Sequence, residues 1–247
     1  RHHRLMPLYA SIDQGNTATK LTLWRDTQAV ERIVSKDFAA DRLAAALARH
    51  GSLDGAVYCS VRGRDDAHWQ ALLAACPHAM ELTHATPLPI ALNYATPHTL
   101  GLDRIAAAAG AVAAYPGRRC LVVDIGTAVT YDLVGPDAAF HGGNIAPGTG
   151  MRLRALHAFT AALPEVSSDG PLPEWGEDTA TAMRCGALRG IAGELSHYRS
   201  LLPADSLVLL TGGRAGTIAP LLDFSVITDH DLVGKGLISI LKHNENN

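Results

Sequence analysis

Cysteine, aromatic side chains and net charge are all scarce in this 247-residue sequence, and each scarcity removes a class of protein. The four cysteines, Cys59, Cys76, Cys120 and Cys185, lie 17, 44 and 65 residues apart. With no CxxC pair they form no dense disulfide framework, and a reducing cytoplasm is the expected compartment. Lys and Arg number 21 against 24 Asp and Glu, a formal net charge of −3, so no basic field attracts a polyanion and nucleic acid is not an expected partner. The longest weakly polar run, residues 105–115, is mostly alanine and is flanked by Arg104, Arg118 and Arg119. It falls well short of the roughly 18–20 residues that span a bilayer, so no membrane association is expected. The opening Arg-His-His-Arg-Leu-Met has no apolar segment behind it, so residues 1–5 read as a tag remnant and Met6 as the natural start. Two nucleotide signatures are missing as well. Gly234-Lys235-Gly236 lacks the hydroxyl residue of a Walker loop, and Gly212-Gly213 belongs to no GxGxxG. The twelve histidines show no HExxH spacing, and His141 and His157 read as surface or core residues.

What the chain does contain is small apolar residues: 47% of it is hydrophobic, yet Phe, Trp and Tyr together make only 5%. Such a composition suits close helix-on-sheet packing. Period-two runs at 8–12 and 19–24, joined by Asp13-Gln-Gly-Asn-Thr17, predict a hairpin, with a third strand near 31–34. A helix over 38–50 stops before Gly51, a buried strand covers 56–60, and a helix over 66–76 stops at Pro77. Residues 86–99 carry Pro87, Pro89 and Pro97 and read as an extended loop. A helix over 102–115 then leads into strands at 120–124 and 129–134. Further elements follow: a strand at 140–145, helices over 150–163 and 178–202, a strand at 206–211 and a closing helix over 232–243. Residues 167–176, rich in Pro, Gly and acid, read as a mobile loop. Alternating strands and helices indicate an α/β protein. The order strand, Asp-x-Gly-Asn/Thr turn, strand occurs twice, at Asp13 and at Asp124, 111 residues apart. This predicts a half-chain duplication, with domains at 6–115 and 116–247.

A strand that ends in Asp and turns through Gly and small hydroxyl residues presents backbone N–H groups where a phosphate can approach. The adjoining carboxylate can hold a hydrated cation, and Lys20 can add a point charge. Each turn alone is equally an ordinary hairpin. Asp103 can be a helix-start carboxylate paired with Arg104, Asp124 a strand-end turn residue and Asp132 a cross-strand polar group. Gly142, Gly143 and Gly148 can serve tight turns or a close backbone approach to a ligand. Thr211-Gly212-Gly213 can be a plain βα turn or the floor of an adenosine pocket.

Taken together, Asp13-Gln-Gly-Asn-Thr-Ala-Thr-Lys20 and Asp124-Ile-Gly-Thr-Ala-Val-Thr-Tyr-Asp132 resemble the paired phosphate motifs of the actin/Hsp70/sugar-kinase superfamily. With Asn93-Tyr94-x-x-Pro97, Gly101-Leu-Asp-Arg104 and Gly142-Gly-Asn-Ile-Ala-Pro-Gly148, the ordered set resembles type III pantothenate kinase. The resemblance implies an α/β fold of two duplicated ribonuclease-H-like domains with an ATP cleft between them. It further implies phosphorylation of pantothenate to 4′-phosphopantothenate, the first step of coenzyme A synthesis, in a cytoplasmic homodimer. By position, Asp13, Gln14, Gly15, Asn16, Thr17, Ala18, Thr19 and Lys20 would line the phosphates of ATP and its Mg2+, and Thr127 would also touch ATP. Tyr94, Gly101, Leu102, Asp103, Arg104 and Thr179 would contact pantothenate, with Asp103 as general base. Asp124 would hold a monovalent cation, K+ or NH4+.

One position departs from that pattern. Gly176-Glu-Asp-Thr179 carries Asp178 where the family has Asn, which adds a negative charge near an anionic substrate unless Arg184 offsets it. Asp178 is equally suited to be a helix N-cap, where Asn and Asp are near equivalents. The alternative function is a catalytically idle nucleotide-binding regulator on the same fold, with Asp178 its only sequence hint. The 102–115 and 178–202 helices are the expected dimer-packing elements.

Overall fold

The computed structural model describes residues 6–36 and 40–246. The tag reading of 1–5 and the first residues of the helix expected from 38 lie outside them. The first part of the chain forms β1 (Leu8–Gln14), β2 (Thr19–Arg25), β3 (Gln28–Ser35), α1 (Ala40–His50), β4 (Gly55–Ser60), α2 (Asp66–Ala75), β5 (Met80–Glu81), β6 (Ala91–Leu92) and α3 (Leu102–Ala114). There follow β7 (Cys120–Ile125), β8 (Ala128–Val134), β9 (Ala139–Pro147), α4 (Thr149–Ala158), α5 (Thr179–Ser200), β10 (Leu207–Thr211), α6 (Ala215–Ile218), β11 (Ile227–Thr228) and α7 (Leu232–Glu245). Among the described residues no helix is long and apolar enough to cross a membrane.

Two compact units divide the chain. The first runs to Gly117 and adds Asp137–Phe140 and the chain from Asp231 onward, while the second comprises Arg118–Pro136 and His141–His230. In this division α7 groups with the first unit.

In the first unit the sheet order is β3-β2-β1-β4-β5, an antiparallel meander followed by two parallel strands. The period-two pattern of β1 assigns its faces. Leu8, Ala10 and Ile12 pack with Leu43 and Ala46 of α1 and Leu72 of α2. On the opposite face Ser11 accepts the indole N–H of buried Trp24 at 2.8 Å, and Asp13 falls on this side by alternation. Helix α7 packs here too, because Gly234 lets its backbone approach Trp24 to within 2.6 Å of where a Cβ would stand. Helices α3 and α7 cross at glycines. A Cβ on Gly236 would meet the Ala106 carbonyl oxygen at 1.7 Å, and one on Gly110 would meet that of Leu232 at 2.1 Å. The small residues of α3 therefore serve a helix crossing inside this unit, and Ile105–Ala109 and Ala111 are all buried. That is a correction: the alanine face expected at a dimer interface is already covered.

The second sheet has six strands in the order β6-β9-β8-β7-β10-β11, and its run β9-β8-β7-β10-β11 repeats the plan of the first. Strand β7 pairs antiparallel with β8 and parallel with β10, as β1 does with β2 and β4. The duplication read from the Asp turns is thus a duplication of topology. Helix α5 covers one face, with Leu188, Ile191 and Leu195 packed on Leu121, Val123, Ile125, Val129, Val208 and Leu210.

Several boundaries differ from expectation for local reasons. The strand expected at 140–145 extends over Ala139–Pro147. The helix expected to reach 163 ends at Ala158, because the Thr160 hydroxyl takes the Leu156 carbonyl and the His157 ring bonds the Leu163 carbonyl. The loop at 86–99 contains β6 and a 3-10 turn at Pro97–Thr99. Within the segment expected to be a mobile loop, residues 167–173 are hydrogen-bonded to α5. Arg184 donates to the carbonyls of Ser167 (3.1 Å) and Pro171 (3.0 Å), and Arg189 donates twice to that of Pro173. Arg214 holds the same segment through Asp169 at 2.5 Å and the Ser168 hydroxyl.

Candidate active site

In the first unit the Asp13 turn closes through Gly15 N–H donating to the Ala18 carbonyl at 3.0 Å, with Asp13 opposite Lys20 and Gln14 opposite Thr19 in the hairpin. Asn16 and Thr17 at its tip are exposed, as a ligand-binding turn requires. Two of the expected phosphate residues point elsewhere. Gln14 is 4% exposed and its side-chain carbonyl accepts the Tyr58 hydroxyl. Thr19 is 1% exposed, and its hydroxyl has no hydrogen-bond partner. The Val61 amide donates to the Gln14 carbonyl at 3.1 Å, which ties the turn to the loop after β4.

Asp103 sits in the first turn of α3. Its Oδ1 accepts the Arg104 amide at 2.9 Å, and a Cβ on Gly101 would stand 2.5 Å from the same oxygen. The entry to this helix is fixed by the His84 ring, 2.8 Å from the Leu100 carbonyl. Burial, with Asp13 and then Asp103 adding to it, pushes the Cys59 thiol well above its ordinary range. Cys59 stands opposite Asp13 in the pairing of β1 with β4. Cys59 is held neutral and is no nucleophile.

Arg104 is 6% exposed, with its guanidinium 5.5 Å from the centre of the Phe140 ring. Tyr94 meets the same ring edge-on at 5.7 Å. The structure thus brings Tyr94 and Arg104 together on Phe140, a fully buried residue that sequence reasoning passed over. Only the start of a predicted strand marked it, since the pairing of β6 with Ala139 and Phe140 joins residues distant in sequence.

In the second unit Asp124 is next to last in β7, opposite Thr130 on β8 and Thr211 on β10. Two glycines make room for this turn. Gly212 has φ +87°, and a Cβ there would lie 2.4 Å from Asp124 Oδ1, so only glycine fits. Gly148 approaches so closely that a Cβ would meet the carbonyl oxygens of Gly126 and Thr127 at 2.3 and 2.4 Å, and its own N–H donates to Thr127 at 3.0 Å. One glycine of each later motif, Gly148 and Gly212, therefore lies against the Asp124 turn, whereas nothing lies within 4 Å of a Cβ on Gly142 or Gly213. Asp132 is 1% exposed, which favours its structural reading.

Among the described residues no group of three or more His, Cys, Asp or Glu gathers as a metal centre. A cation at Asp124 would draw on one carboxylate and on turn oxygens. This all-oxygen, weakly charged set fits a hard monovalent ion better than a caged divalent one.

Thr179 opens α5 and is exposed, and Asp178 is the cap of that helix. Asp178 Oδ1 accepts the Thr181 amide at 2.7 Å, and the Thr181 hydroxyl accepts the Asp178 amide at 3.1 Å. The bond from the Thr181 amide is the chief reason the Asp178 carboxyl lies below its usual range. Arg184, one of the cations that could offset this charge, donates to the carbonyls of Ser167 and Pro171, and its charge is a minor further cause that lowers the Asp178 carboxyl.

The family model for type III pantothenate kinase matches residues 10–200, a span that includes every motif above except the Gly212 turn. The chain belongs to the type III pantothenate kinase family. A type III pantothenate kinase from Phocaeicola vulgatus is 39% identical over 95% of this chain and 98% of its own length. Among solved structures, a conserved protein of the Baf family of transcriptional activators from Campylobacter jejuni superposes with a TM-score of 0.63 at 21% identity. It covers 96% of this chain and 100% of that one. The activator of 2-hydroxyisocaproyl-CoA dehydratase from Clostridium difficile, with bound ADPNP, gives 0.57 at 11% identity over 97% of both chains. These two likenesses speak to the fold alone, and they agree with two ribonuclease-H-like units.

Proposed function

We propose that this chain phosphorylates pantothenate on its 4′-hydroxyl at the expense of ATP, the entry reaction of coenzyme A synthesis. The observation that carries the reading is that Asp13 and Asp124 stand next to last in β1 and β7, two strands that each pair antiparallel with the following strand and parallel with a later one, beside a glycine-bearing turn.

Phosphoryl transfer asks little covalent chemistry of a protein, so positioning and charge neutralisation dominate. From the first unit, the backbone of Gly15–Ala18 and the ammonium of Lys20 bind phosphate oxygens, and Asp13 would hold the hydrated Mg2+. Mg2+ supplies charge neutralisation on the phosphates when bound. Asp103 accepts the proton of the attacking hydroxyl at Oδ2, since Oδ1 is occupied by the Arg104 amide. Arg104 and Tyr94, set by Phe140, bind the pantothenate carboxylate and polar groups. From the second unit, Thr127 binds nucleotide, Thr179 binds pantothenate, and Asp124 would hold K+ or NH4+. The enzyme acts in the cytoplasm as a homodimer. Supporting the dimer, β9 and α4 leave Ile145, Met151 and Leu156 exposed, and Phe159 at the end of α4 is 88% exposed.

The test is product formation. Purified protein with ATP, Mg2+, K+ and pantothenate should yield 4′-phosphopantothenate, detected by mass. No product, under conditions where a control pantothenate kinase works, would refute the reading. Nothing in the structure favours the idle regulator, because its one hint, Asp178, is accounted for as a helix cap.

A further inference from the structure

A closed ring of contacts passes through Thr127 of the Asp124 turn. Arg152, in the first turn of α4, clasps Glu194 of α5 with Nη2 2.7 Å from both carboxylate oxygens, and its Nε donates to the Pro147 carbonyl at 2.7 Å. Glu194 Oε2 also accepts the hydroxyl of Tyr131 on β8 at 2.8 Å. From Pro147 the chain passes to Gly148, whose N–H donates to the Thr127 carbonyl. From Thr127 it runs along β8 back to Tyr131. Every link lies within the second unit.

The ring is built, not incidental. Tyr131 is 2% exposed and packs its ring 4.7 Å from that of Tyr198. Its hydroxyl is pushed far above the ordinary tyrosine range by burial and by Glu194, so it stays a donor. Gly190, one turn before Glu194 on α5, leaves the groove in which the guanidinium lies, since a Cβ there would be 3.1 Å from Arg152 Nη1. Glu194 is the only member that touches both of the others. It couples the strand leaving the Asp124 turn to the segment whose backbone presses on that turn.

We propose that Arg152, Glu194 and Tyr131 are positioning residues that hold the Asp124–Thr127 turn in its nucleotide-binding geometry. The proposal rests on that turn being a phosphate turn. None of the three need touch ATP. Their effect is to remove alternative placements of Gly148 and Thr127, and displacement of a binding group by even an ångström is costly in rate.

The experiment combines titration calorimetry, using a non-hydrolysable ATP analogue, with steady-state kinetics on wild type, Glu194→Gln, Tyr131→Phe and Arg152→Lys. In Glu194→Gln the analogue Kd and the KM for ATP should both rise about tenfold, the scale seen when a supporting shell is cut. The KM for pantothenate should stay within about twofold, as expected for loss confined to one substrate. Arg152→Lys should be intermediate, because a lysine offers a point charge in place of a fork. Tyr131→Phe combined with Glu194→Gln should lose less than the product of the single effects. Unchanged analogue affinity in these variants, or equal loss for both substrates with a lowered Tm, would overturn the proposal. If Glu194→Gln does not fold, Tyr131→Phe and Arg152→Lys decide by the same criteria. Wild type that binds the analogue but does not phosphorylate pantothenate defeats the proposed function while the titrations still decide the ring. Wild type that binds no nucleotide defeats both.

Discussion

Asp103 and Asp178 are both carboxylates at helix starts, and their surroundings give them different work. Asp103 uses one oxygen on the Arg104 amide and stands within electrostatic reach of the thiol that also senses Asp13. Asp103→Asn should lower kcat by about 10²–10⁴-fold, the usual contribution of a general base, with nucleotide affinity unchanged by calorimetry. Loss of nucleotide binding would reassign Asp103 to the phosphates. Asp178 closes a capping box with Thr181. Because its carboxyl lies below the ordinary range, it stabilises the folded state above its unfolded pKa, and this is lost as pH falls through the lower folded value. Asp178→Asn should keep the cap and flatten the acid limb of a Tm-against-pH curve, whereas Asp178→Ala should lower Tm at neutral pH as well. The carboxylates themselves were legible in the sequence, as was the capping option. So was the pairing of Asp103 with Arg104, whereas the work of Arg184 was not, because it spends its guanidinium on carbonyls 13 and 17 residues away.

Among elements, the crossing of α3 and α7 is the most demanding contact. The Ala106 carbonyl stands where a Gly236 side chain would be, so Gly236→Ala should destabilise by about 1–3 kcal/mol, the cost of overpacking, measured by urea unfolding. Gly186 of α5 offers the opposite case, since nothing lies within 4 Å of a Cβ there. Gly186→Ala should raise stability by about 0.4–1 kcal/mol through the unfolded chain and helix propensity. The strap at 167–173 gives a third readout. Arg184→Met removes its two carbonyl bonds and should expose the strap to limited proteolysis before any global unfolding. Long helices and period-two strands were readable because their signal is local and repeats several times. Two-residue strands such as β5, β6 and β11 offer no period to read, and they exist only through pairing with a distant strand.

For the whole molecule, the exposed residues of β9 and α4 make a prediction about assembly. Phe159→Glu should shift the mass in analytical ultracentrifugation from dimer to monomer, and an unchanged dimer would locate the interface elsewhere. The sequence by itself determined a charge of −3, four dispersed cysteines and the lack of a long apolar run, properties that no fold alters. The repeated Asp turn also determined the duplicated architecture, because turn chemistry and strand alternation act over a few residues. Only the tertiary structure decided that α7 belongs with the first unit, that the alanines of α3 face α7, and that Arg152 and Glu194 close a ring through the second turn. Those outcomes depend on which of many chemically equivalent side chains come within a few ångströms of each other. That is fixed by the mutual exclusion of packed helices and strands, 42 residues apart in the case of Arg152 and Glu194, and no local pattern carries it.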